Sequence, residues 1–119
     1  MSEKPHIEVL EKMNILVNKY WNMNGLDGKT LNDLLRQISS GLYYLEGVRS
    51  DYHNKYQILI SDLVLEGSSV NKAENRAHVR YPEMYQFRHI MKGGYEVVGA
   101  IRSNLAYLRQ EMNSINSQK

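Results

Sequence analysis

The sequence predicts an all-α protein: a long antiparallel two-helix, coiled-coil-like hairpin with an additional N-terminal helix, together a three-helix unit. Three observations predict it. Two long stretches place apolar residues in alternating steps of three and four, the spacing that keeps one face of a helix apolar. Only two prolines interrupt 119 residues. Hydrophobic residues make up 42% and charged residues 24%, a balance that suits a chain able to bury a core. The length suits a single domain spanning 1–119.

The first helix is expected over residues 6–23, where Ile7, Leu10, Val17 and Trp21 can share a face with Met13 and Tyr20 at its margin. Gly25-Leu26-Asp27-Gly28 reads as a turn. Thr30 with Asp33 has the form of a capping box and places the next helix at 31–66. Its seam runs Leu31, Leu35, Ile38, Leu42, Leu45, Arg49, Tyr52, Tyr56, Leu59, Leu63, and Gly67-Ser68-Ser69 stops it. A short polar helix over 71–80 ends at Tyr81-Pro82, because the residue before proline disfavours the α region. The last helix, 83–115, carries the second seam: Met84, Phe87, Met91, Gly94, Val98, Ile101, Leu105, Leu108, Met112, Ile115. The tail 116–119 is expected to fray. Each long helix would span about 50 Å, so the molecule should be elongated. A compact bundle kinked at Gly41, Gly47 or Gly93-Gly94 is the alternative arrangement.

Arg49 and Gly94 are the exceptions in otherwise apolar seams. A hairpin turning near residue 73 would set Arg49 opposite Gly94 to Val98, with Glu96 as its carboxylate partner, and so fix the register. Alternatively the guanidinium reaches past the seam to water.

Composition narrows the function. There is no cysteine, so disulfides and thiolate metal sites are excluded, and a reducing compartment, the cytoplasm, is expected. No apolar run is long enough to cross a membrane, and Met1 to His6 leads into no signal-peptide core. His6, His53, His78 and His89 show no paired spacing on a helix, so neither metal nor cofactor is expected. No nucleophile elbow or phosphate loop occurs, and the acidic pairs look solvated, which argues against an enzyme.

Residues 72–95 are the most suggestive surface. Lys72, Arg76 and Arg80 recur every fourth residue, Arg88 and Lys92 repeat that spacing with His78 and His89 in reserve, and Tyr81, Tyr85 and Tyr95 are interleaved. Cations that neutralise phosphate beside rings that stack on bases suit single-stranded nucleic acid, or another anion. A plain solvated face is the competing expectation. Trp21, Tyr43, Tyr44, Tyr52 and Tyr56 form a candidate oligomer interface, since tyrosine combines large buried area with a polar tip.

Ala100-Ile101-Arg102-Ser103-Asn104-Leu105, followed by Leu108-Arg109-Gln110-Glu111-Met112 on a long helix behind a polar segment and a break, resembles small helical proteins of tailed bacteriophages. The layout over roughly 42–115 is similar to recombination mediators of the UvsY type. That resemblance implies a helical homo-oligomer binding single-stranded DNA, with contact expected from Lys72 to Arg88. The net charge of +2 departs from what such a binder would carry. Two other functions remain open: a module that binds a host or phage protein, and an oligomeric sponge for a nucleotide-like anion.

Overall fold

The structure is a computed structural model that describes residues 5–117. The first four residues and the last two, which end the tail expected to fray, lie outside the described residues. Four helices follow in order: α1 (Pro5–Trp21), α2 (Gly28–Leu65), α3 (Val70–Arg80) and α4 (Glu83–Ser117). Among the described residues there is no strand. Among the described residues no helix is long and apolar enough to cross a membrane.

α2 begins three residues earlier than the Thr30–Asp33 pattern suggests. Asp27, in extended backbone, is the N-cap. Its carboxylate accepts from the Thr30 amide at 3.3 Å and the Thr30 hydroxyl at 2.6 Å, so Thr30 serves the cap from inside the first turn. Those two bonds, the hydroxyl first, hold the Asp27 carboxyl below its ordinary range. At the other end Gly67 takes φ +105°. Its amide donates to the Val64 carbonyl and the Ser68 amide to the Leu63 carbonyl, the paired closure that a left-handed glycine allows. Ser69 then caps α3 through the Lys72 amide. α3 meets α4 across Tyr81-Pro82, where proline removes the helical continuation.

Neither Gly41 nor Gly47 divides α2, and Gly93-Gly94 does not divide α4. The molecule measures 74 × 32 × 20 Å and its radius of gyration is 20.0 Å, against about 13.5 Å for a compact chain of this length. α3 and α4 together form the limb that returns along α2, and α1 packs into the groove between α2 and α4.

The core lies where three helices meet. Leu10, Met13 and Leu16 come from α1; Leu31, Leu34, Ile38, Leu42 and Leu45 from α2; Phe87, Met91, Val97, Val98 and Ile101 from α4. The buried stripe of α1 is rotated from the expected face. His6, Leu10, Met13 and Leu16 are inside, while Ile7 and Trp21 are exposed. Burying His6, Met13 and Leu16 lets the stripe span both α2 and α4, which a face centred on Ile7 and Trp21 would not. Leu34, outside the seam, is fully buried for the same reason: α2 carries neighbours on two sides there. Past Tyr52, which His6 of α1 still reaches, α3 and the start of α4 cover α2, and Ala73 and Ala77 bring the α3 backbone close enough to bury Leu63.

The register differs from a hairpin turning near residue 73. Gly94 faces Leu42 and Met13, Tyr95 faces Glu46, and Phe87 faces Tyr52. The chain reverses at Gly67 to Ser69, so α4 slides more than a turn relative to α2 from the expected pairing. Arg49 consequently meets Glu46 on its own helix, at 3.2 Å, instead of Glu96. That pair is nearly half exposed and stabilises by less than about 1 kcal/mol. At Gly94 the missing side chain admits Leu42 and Met13 to the α4 backbone.

Candidate nucleic-acid or anion groove

The side of α2–α4 that α1 leaves open forms a groove of about 840 Å3 where α3 joins α4. α2 contributes Glu46, Arg49 and Tyr56 to its lining, and α3 contributes His78. α4 adds the rest, among them Tyr85, Arg88, Lys92 and Tyr95, with Met84 and Met91 as floor. The helical period explains the grouping: positions 84, 88, 91 and 95 step by four and three and so share one flank of α4.

Two cross-helix contacts shape the walls. The Tyr95 hydroxyl donates to one Glu46 oxygen at 2.6 Å, and Arg49 donates to the other at 3.2 and 3.4 Å. The Tyr95 bond, before the Arg49 pairing, holds the Glu46 carboxyl below its ordinary range. The same bond, with burial, pushes the Tyr95 phenol up. At the α3 end Tyr56 and His78 are joined, Oη to Nε2, at 3.1 Å, with their rings edge to face. Burial, reinforced by Glu74, raises the Tyr56 phenol.

The tyrosine–carboxylate bond has two pH limits. Glu46, lowered in the fold, contributes stability that is present above the unfolded carboxyl value and lost as acid titrates it through its folded value. Tyr95, raised in the fold, contributes stability that is complete below its unfolded value and lost as pH rises through the folded one. Tyr95→Phe should move the Glu46 midpoint up toward the ordinary glutamate value. An NMR titration of the Glu46 side-chain carboxyl carbon reads this directly; an unmoved midpoint would show that the tyrosine is not the cause.

The residues expected to bind nucleic acid or an anion separate into two places. Tyr85, Arg88 and Lys92 enter the groove. Arg76 and Arg80 share a different surface on α3 with Asn75 and Val79, and Lys72 is exposed at the start of that helix. Tyr81 is engaged already: Arg80 covers its ring at 5.3 Å and Tyr52 meets it edge-on. Tyr85 instead stacks parallel to His89, with ring centroids 6.4 Å apart.

The groove also holds His78 and Tyr95 from the same suggestive stretch, and Arg49 and Tyr56, which the charge stripe did not indicate. The break that Arg49 makes in an apolar seam was the available signal for one of them. Glu96 lines the groove too, so Arg49 and Glu96 share a site without forming the expected pair. Three cations therefore face two carboxylates, one of which is occupied by Arg49 and Tyr95.

The five aromatic residues expected at an oligomer interface occupy separate places. Tyr52 packs on His6 and Phe87 at the core edge, and Tyr56 is in the groove. Tyr44 borders a cleft between α1 and α2, and Trp21 packs edge-on to Tyr20 at the end of α1. Tyr43 is exposed. Their nearness along the sequence carries no information on which neighbours cover each turn. Among the described residues no cluster of three or more His, Cys, Asp or Glu side chains is arranged to hold a metal. Comparison with protein-family models, with curated proteins and with solved structures finds no match to this chain.

Proposed function

We propose that this chain is a non-enzymatic accessory protein of phage type that binds single-stranded nucleic acid as a homo-oligomer in the cytoplasm, serving recombination or replication. One observation carries the reading: Arg49, Arg88 and Lys92 share a groove with Tyr56, Tyr85 and Tyr95. Phosphates meet the cations there, and an unstacked base meets a tyrosine ring. Two further arginines, Arg76 and Arg80, lie outside the groove on a different surface of α3. The groove is open, which suits a polymer that must pass through it.

The test is fluorescence anisotropy with a labelled single-stranded oligonucleotide at low salt. Binding is expected, weakening as salt rises, as counterion release requires, and falling at least tenfold in Arg88→Glu/Lys92→Glu. No binding at low salt ends the proposal. A thermal shift with a mononucleotide and none with the oligonucleotide would identify a sponge for a nucleotide-like anion instead.

A second function, a module that blocks a host enzyme or defence factor, is favoured by the apolar side chains of Ile58, Leu65 and Val79, exposed on the α2–α3 arm. Capture of one defined protein that survives nuclease and high salt, and is lost in Ile58→Glu/Leu65→Glu, would support it.

A further inference from the structure

The α4 seam outlasts its partner. Leu105 and Leu108 are half-buried against the start of α2, and the same three-four spacing continues to Met112 and Ile115. Those two are 65% and 59% exposed. The reason is length: Gly28, the first residue of α2, already shares a groove with Arg109 and Glu111, so the last turns of α4 project past the end of α2. Leu26, in the α1–α2 turn, is exposed beside them and completes an apolar groove of about 510 Å3. This end of α4 is remote from the Arg88–Tyr95 groove.

We infer that this projecting seam is the surface through which two copies of the chain associate, about a two-fold axis with the α4 ends antiparallel. Such a pairing lays Met112 and Ile115 of one copy over Leu105, Leu108 and Leu26 of the other, and the reciprocal contact follows from the symmetry. Two observations select a second copy as the occupant. The patch holds both the projecting side chains and the half-filled groove that would receive them, so it is complementary to itself. Its rim carries Arg109 together with Asp27 and Glu111, so a rotated copy meets both signs of charge.

The inference is independent of nucleic-acid binding, since none of these residues lines the basic groove. Sedimentation equilibrium on the full chain, from micromolar to submillimolar concentration, tests it. The expected result is a dimer that Met112→Glu/Ile115→Glu converts to monomer, with helix content by circular dichroism unchanged because both side chains are exposed within one copy. Two control variants, Arg88→Glu/Lys92→Glu in the groove and Ile58→Glu/Leu65→Glu on the arm, should remain dimeric. A monomeric wild type across that range overturns the inference, and so does a dimer that survives the α4 substitutions or is broken by the arm substitutions instead.

Discussion

Phe87→Ala is expected to destabilise the fold by about 3–5 kcal/mol, the largest effect of any single truncation considered. Phe87 is 0% exposed and lies where α4 meets both α1 and α2. Its ring centroid is 5.3 Å from that of His6 on α1 and 5.5 Å from that of Tyr52 on α2. Removing the ring takes away its transfer free energy and leaves a cavity whose walls belong to three separate helices. Those walls cannot all collapse inward, because each is held by its own neighbours. Against a total stability of about 5–15 kcal/mol, the loss should lower the midpoint of thermal unfolding by about ten degrees or more. Circular dichroism followed through a denaturant titration measures it. Tyr85→Ala, at a site 72% exposed on the same helix, should stay within about 0.5 kcal/mol and separates local packing from a general sensitivity of α4.

Gly94→Leu should cost about 1–3 kcal/mol or more, and for the opposite reason. A Cβ at Gly94 would stand 3.0 Å from Leu42 Cδ2 and 3.1 Å from Met13 Sδ. A single methyl could be absorbed by shifts of those flexible ends. Three further carbons have no place unless α4 moves away from α1 and α2 together. Gly99→Ala is the natural control: nothing lies within 4 Å of its would-be Cβ, and alanine should stabilise the helix by about 0.5–1 kcal/mol. Opposite signs at two glycines five residues apart on one helix would show that Gly94 is kept for close approach and Gly99 is not. Equal effects would remove the packing role assigned to Gly94.

Much of this architecture was readable in the chain. The seams from Leu31 and from Met84 each mark a helix, because an apolar stripe with a three-four period can be buried only by helical packing. The Gly67 stop and the Tyr81-Pro82 break were equally legible, since φ and amide chemistry are local properties. The start of α2 was misassigned because two local patterns competed. Thr30 with Asp33 fits a capping box, but Asp27 can satisfy Thr30 through both its amide and its hydroxyl, and so captures the terminus. The face of α1 was also misassigned. With Ile7, Leu10, Met13, Leu16, Val17 and Trp21 all apolar, periodicity admits more than one stripe, and the stripe that fits two neighbours prevails.

The sequence by itself determined that the protein is helical, where its long helices run and that they pair lengthwise, because backbone propensity and apolar period act over a few residues at a time. Tertiary structure alone decided the register, the partner of Arg49 and the membership of the groove. Those depend on where the chain reverses and which side of the α2–α4 pair α1 occupies. A displacement of about two turns leaves every local pattern intact, yet it brings Tyr95 to Glu46, Gly94 to Leu42 and Arg49 to the same groove as Arg88.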